Sequence, residues 1–363
     1  MTIYVIYSLR VWRGSMTETG KTRMEKLRKR RTTGRVTLQD VANYVGVGMM
    51  TVSRALRTPE QVSDKLREKI EQAVESLGYI PNRAAGALAS GHSNTIAVLI
   101  PSLTDQASSL FMQSLQLALN RNNYQLLLGC HDYNQQKEAS ILGTLLQNNP
   151  DALVVFGSQL ADSTWQFIER ASVPTLNIAG AGNLNASLTL NVDFSAATEE
   201  LTRHLLAQGY KNIGYVCAHM DNRLQRQQLN GWHKAMLQGY QNADLVVATS
   251  DAPSMQFGRH ALMELLLRQP ELDALVCSHE DIALGLLFEC QRRLIKVPGN
   301  LAIACLDGSE NCDQTYPVLT SVRVDYAKMG RETGKLLISM LKKGMEEPIS
   351  LAFSYRFEPG RSS

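Results

Sequence analysis

The 363 residues hold no apolar run near the roughly 20 that a membrane-spanning helix needs. The opening stretch, MTIYVIYSLRVWRG, is mildly apolar but short. It lacks the basic start and small-residue cleavage site of an export signal. The six cysteines form no CxxC pair, and most sit inside apolar runs. That reads as buried, reduced thiols of a cytosolic protein and argues against a metal site. No GxGxxG follows the first strand-like run, and no Walker-type GxxxxGK, HExxH or GxSxG occurs. The seven histidines are scattered, and no carboxylate pair falls on adjacent strand ends. Enzyme readings fare poorly on these grounds, an oxidoreductase with a Rossmann domain included. Neither a cofactor nor a metal is expected. No leucine-heptad tail follows SLAFSYRFEPGRSS, so a tetramer-forming coil is not expected either.

What is present points to more than one domain. Hydrophobic residues make up 44% and charged residues 20%, normal for a soluble chain long enough to bury large cores. Residues 1–90 carry 16 Lys+Arg against 8 Asp+Glu, whereas the remaining 273 carry 21 against 26. A basic front on an acidic body suits a polyanionic partner at one end, although a solvated charged tail would look the same. Residues 1–34, with MEKLRKRRTTGR, read as a disordered basic extension, and Met16 or Met24 is an alternative start.

From residue 35 to 81 the pattern is helical. Thr37 followed by Asp40 predicts a capping box, Val41, Ala42 and Val45 form one stripe, and Gly46 suits a left-handed helix end. A second helix follows at once, with Val52, Ala55 and Leu56 on one face and Met50, Ser53, Arg54 and Arg57 on another. Two short helices around a glycine-containing turn read as helix-turn-helix, whose second helix places its first residues on base edges in the major groove. Met49 and Met50 stand there and offer apolar contact suited to a thymine methyl, while Arg54 can grip guanine with two hydrogen bonds. The alternative, that either methionine packs inside the unit, stays open. A third helix is expected from Ser63 or Asp64 to Leu77, on the stripe Leu66, Ile70, Ala73, Val74 and Leu77, with Gly78 as its stop. After extended Tyr79-Ile80-Pro81, Asn82 is a good N-cap for RAAGALASG, a segment too short to hold a helix without a partner.

The run TLQDVANYVGVGMMTVSRALRTPEQVSDKLREKIEQAVESLGYIPNRAAGALAS resembles the headpiece of the lactose-repressor (LacI/GalR) family. The order TxxDVAxxxGV, TVSRAL, VSxxxREKI, LGYxPNxxA is highly specific, and the likeness extends along the rest of the chain. MTVSR, YIPNRA and IPSLTDQ look closest to the gluconate and idonate regulators of that family. The resemblance implies a dimeric, sequence-specific transcription regulator, typically a repressor, with a small-molecule effector. It puts Met49, Met50 and Arg54 on the base-reading positions. Leu88 takes the place of the hinge leucine wedged into the minor groove at the operator centre. Thr37, Thr51, Ser53, Asn82 and Arg83 fall on backbone-contacting positions. Gly48 departs from the usual Ser or Thr, and Gly86 weakens the hinge helix of residues 82–93.

From Thr95 onward, short apolar runs such as TIAVLIPS, ALVVFG, NIGYVCA and LAIACLDG alternate with helix-length segments. That pattern predicts parallel sheets covered on both faces, in two doubly wound subdomains that switch near Asp193. The resemblance adds a periplasmic-binding-protein-like α/β core in which the chain crosses between subdomains three times. The expected layout is residues 94–192 with a return over about 325–345, and 193–324 with a tail over about 346–363. Ligands of such sheets bind at the carboxyl ends of the strands. Candidate effector residues are therefore Ser102, Asp105 and Gln106 after the first strand, and His131 and Tyr133 after the second. Asp307 matches the family aspartate that receives sugar hydroxyls. His279 and Glu280 replace a usual Asn-Asp pair. Gln228 aligns with the effector arginine, with Arg223 and Arg226 close by. Each could equally be a polar group satisfied within its loop. The rival reading is a sugar-binding protein of periplasmic type, which shares this body but has no headpiece and no gene-regulatory role.

Overall fold

The computed structural model describes residues 36–81, 91–157, 160–179, 186–220, 223–344 and 348–363. The basic extension and the hinge positions Asn82, Arg83 and Leu88 lie outside the described residues, as do the side chains of Gln135, Ser163 and Arg223. The chain divides into two compact units at Gly86.

The first unit is all helical: α1 (Leu38–Val45), α2 (Met49–Arg57), a 3-10 turn (Pro59–Gln61) and α3 (Asp64–Leu77). Thr37 and Asp40 form the reciprocal capping box, with the Thr37 amide donating to Asp40 Oδ2 at 2.8 Å. Gly46 closes α1 at φ 81°, a conformation in which a side chain would be strained. The turn then delivers α2 across α1, and Val41, Ala42, Val52, Ala55, Ile70 and Ala73 form the buried centre. A unit this small buries little surface, so each of these residues carries a large share of its stability.

The second unit holds two six-stranded sheets. The first contains β1 (Thr95–Ile100), β2 (Gln125–Cys130), β3 (Ala152–Phe156), β4 (Thr175–Ile178), β5 (Leu188–Asn191) and β11 (Ile349–Ala352), in the order β11-β5-β4-β3-β1-β2. The second contains β6 (Ile213–Cys217), β7 (Val246–Ala248), β8 (Ala274–Cys277), β9 (Ala302–Cys305), β10 (Thr320–Val324) and β12 (Tyr355–Glu358), in the order β12-β10-β9-β8-β6-β7. All pairings are parallel except β10 with β12. Side chains alternate between faces along a strand, and here both faces are buried. Ile96, Val98 and Ile100 enter one apolar cluster, Ala97 and Leu99 another. That two-sided burial is why the strands read as continuous apolar runs.

The helices of this unit are α4 (Gln106–Asn120), α5 (Gln135–Leu146), α6 (Asp162–Ala171), α7 (Phe194–Ala207), α8 (Arg223–Gln238), α9 (Met255–Arg268), α10 (Glu280–Arg292) and α11 (Tyr326–Lys343). α11 returns to the first sheet and packs on α4. A methyl group at Gly330 would collide with the Phe111 carbonyl, so glycine is what permits the close approach. The last crossing differs from the expected one. Ile349–Ala352 pairs with Leu188–Asn191 in the first sheet, so the return runs through residue 352, not 345. The chain then crosses at residues 353–354 to lay β12 on β10. Parallel strand pairing, invisible in local pattern, sets that boundary.

Candidate functional site

On the helical unit, α2 buries Val52 and Ala55 and presents its opposite side to solvent. Met49 is 45% and Met50 69% exposed, so neither packs inside the unit. Arg54, one turn beyond Met50, is exposed and makes no ion pair among the described residues. Thr51 and Ser53 are half-buried along the same helix. Thr37 spends its hydroxyl on Asp40, at 2.7 Å. Two exposed methionines and an arginine on one rigid, packed helix form an amphipathic reading edge, suited to apolar and bidentate contact with base pairs.

In the second unit the strand ends of both sheets converge on a narrow cleft. Its wall carries Asp105, Tyr133, His219, Gln225, His279 and Asp307 over an apolar floor that includes Pro101, Phe156 and Ala179. Tyr133, Ala179, His219 and Asp307 are all in the left-handed region, at φ 56°, 52°, 52° and 53°. Left-handed backbone costs energy in residues other than glycine, and its concentration along one cleft is a mark of function. The Tyr133 ring stacks on His219 with centroids 3.8 Å apart. Below them, Phe111 stacks on Phe156 at 4.3 Å.

The electrostatics are set by burial. Asp307 accepts a hydrogen bond from the Tyr326 hydroxyl at 2.7 Å. Burial, and then the nearby Asp105 carboxylate, nevertheless push Asp307 up to about 7. Burial drives the His279 imidazole down to about 3, with His219 adding to the effect, and burial also lowers His219. Both rings are therefore neutral at pH 7. No Lys or Arg is among the described residues that line the cleft.

Of the effector residues expected from sequence, Asp105, His279, Asp307 and Tyr133 come together on this wall, whereas Ser102, Gln106, His131, Arg226 and Gln228 do not. Ser102 is turned into its own loop against Thr104, at 2.9 Å. Gln106 opens α4 on its exposed side. His131 is buried against Glu138, at 3.7 Å. Burial drives both toward neutrality, His131 down to about 4 and Glu138 up to about 7. Arg226 points to solvent, and Gln228 is buried one helical turn beyond Gln225. Arg223 opens α8 directly before the lining residues Leu224 and Gln225. Glu280 faces away and clamps the loop after β9, accepting from the Asn311 side chain at 3.0 Å and from the Ser309 amide. Phe156, Ala179, Phe194, His219, Gln225 and Tyr326 were missed. Phe156, Ala179 and His219 end or closely follow strands, so the strand-end rule applied to every strand would have found them.

The comparisons with known proteins agree with this anatomy. A model of the bacterial regulatory proteins of the lacI family matches residues 37–82, and one of the periplasmic binding protein-like domain matches residues 202–363. The chain is 34% identical over 331 residues to the HTH-type transcriptional regulator GntR of Escherichia coli, covering 90% of this chain and 98% of that one. The regulator IdnR of the same species is 27% identical over 328 residues, again 90% of this chain and 98% of that one. Among solved structures, a PurR family transcriptional regulator from Vibrio parahaemolyticus is 41% identical, with a TM-score of 0.69 over 74% of this chain and 98% of that one. A LacI family regulator from Silicibacter pomeroyi is 26% identical, with a TM-score of 0.83 over 90% of this chain and 99% of that one. A periplasmic-type binding protein leaves the match at residues 37–82 without an account. The chain is a DNA-binding transcriptional regulator, not an enzyme, and belongs to the LacI family.

Proposed function

We propose that two copies of the chain bind a pseudo-palindromic operator in the cytoplasm and repress transcription, each headpiece reading one half-site. The observation that carries this reading is the exposed trio Met49, Met50 and Arg54 on a helix whose other face is packed. Thr37, Thr51, Ser53, Asn82 and Arg83 serve as backbone contacts and Leu88 as the minor-groove wedge. Among the described residues no helix is long and apolar enough to cross a membrane, which is compatible with a cytoplasmic protein. A gel shift on family-type operators tests the reading. Arg54→Ala should weaken the specific site by about 1–3 kcal/mol and relax preference at one base pair per half-site. Equal weakening on every sequence would reduce Arg54 to a phosphate contact.

The effector is a small sugar acid of the gluconate or idonate kind, held in the cleft with its hydroxyls toward Asp307. The likeness to GntR and IdnR supports the class. Arg226 and the neutral His279 are poor partners for its carboxylate, which falls instead to the amino end of α8, where the helix dipole favours an anion. Calorimetry with gluconate, idonate, neutral hexoses and purines decides. Tight binding of a hexose or purine in preference to both acids would refute the sugar-acid assignment and leave the regulator standing.

A further inference from the structure

We infer that Gln225 and His219 form a hydrogen-bond-accepting wall that reads two hydroxyl groups of a polyhydroxylated ligand. The inference rests on the cleft being the effector site and deepens it by naming residues and ligand chemistry.

Gln225 is only 2% exposed and lines the cleft, and its Oε1 has no hydrogen-bond partner. His219 is 8% exposed, lines the same cleft, and leaves Nε2 without a partner. Buried acceptors are costly to leave unmade, so two of them on one wall point to a ligand that completes them. Burial keeps the His219 ring neutral. A neutral imidazole has one N–H, and with that proton on Nδ1 the unpartnered Nε2 is the acceptor this wall requires. The Tyr133 ring, stacked at 3.8 Å, fixes the plane in which that lone pair points.

The remaining polar groups sharpen the class. The Asp105 carboxylate already accepts from the Ala107 amide at 3.2 Å and the Ser108 hydroxyl at 2.8 Å. Asp307 accepts from Tyr326 with one oxygen and has a second to offer. The wall therefore asks for donors, several of them and uncharged. A chain of hydroxyls supplies these, while its C–H face rests on the floor of Pro101, Phe156 and Ala179. A hydroxyl-free acid or an aromatic base would leave Gln225 and His219 unsatisfied.

The test uses the full chain, with calorimetry and thermal shift against D-gluconate, D-sorbitol, D-glucose, adipate and adenine. At least one of the three hydroxyl-rich compounds should bind, and adipate and adenine should not. Gln225→Met and His219→Phe should each weaken that binding about 3- to 10-fold, the loss of one neutral hydrogen bond. Ligand-free Gln225→Met should melt no lower than wild type, since it removes a buried, unpaired carbonyl; a structural glutamine would lower it. The wild-type protein gives a check that needs no variant: the 2-deoxy or 3-deoxy form of a bound hydroxyl compound should bind more weakly by the same factor. Binding of sorbitol or glucose without gluconate removes the sugar-acid reading and supports this one. Gluconate binding unchanged in both variants overturns this one and leaves the sugar acid standing. Binding of adipate or adenine alone, or of none of the five, overturns the ligand class.

Discussion

Replacing Asp307 by Asn should make the core more stable and effector-blind at once. Burial displaces the carboxyl from its ordinary 3.8 to about 7. At about 1.4 kcal/mol per unit that is at most about 4 kcal/mol of ionisation cost borne by the folded state. The side chain keeps some exposure to the cleft, so screening by solvent trims the figure to about 1–3 kcal/mol. The sign follows from linkage. The folded-state value lies above the unfolded one, so the favourable contribution is complete below pH 3.8 and is lost as pH rises through about 7. Asn carries no such dependence and can still accept from the Tyr326 hydroxyl. The gap in melting temperature between variant and wild type should therefore open between about pH 4 and 7 and stay constant above. Its plateau should lie near 2–8 °C for a domain of this size. Differential scanning fluorimetry at fixed protein concentration measures it, and taking the difference cancels other titrating groups such as His131 and Glu138. The effector-induced shift should vanish in the same variant. A pH-independent gap, or a variant less stable than wild type at pH 8, would refute the argument that Asp307 is held strained for binding.

Two further changes probe the scaffold. Ile70→Ala removes a fully buried side chain from the small helical unit and should cost about 2–5 kcal/mol. Operator binding should fail while the melting of the α/β core and its response to effector persist, which circular dichroism and calorimetry resolve separately. Gly330→Val drives a side chain into the Phe111 carbonyl between α4 and α11. It should destabilise the core by about 1–3 kcal/mol, read as a lower denaturation midpoint, whereas the same change at Gly143, which has open space around it, should do far less to packing.

Much of the fold was legible because it is written locally. Thr37 and Asp40 cap a helix three residues apart, Gly46 and Gly78 end helices in the left-handed region, and the α2 and α3 stripes repeat every three or four residues. Apolar runs five or six residues long announced strands buried on both faces. The cleft was legible only in part. Asp105, His279 and Asp307 could be found because each stands just after a strand, and Asp307 also because its surroundings resemble a family motif. His219 and Tyr326 carry the same mark, two residues past β6 and β10, whereas Gln225, inside a helix, carries none.

The sequence by itself determined the helix-turn-helix and the alternation of strand and helix, since each depends on neighbours within a few residues. Only the tertiary structure decided that residues 349–352 belong to the first sheet, because strand pairing joins segments more than 150 residues apart. Only it could bring Asp105 within electrostatic reach of Asp307 and turn a carboxylate into a group poised near neutrality. It also turned Arg226 to solvent while setting Gln225 on the wall, since adjacent residues of a helix point about 100° apart and packing alone chooses which one faces inward.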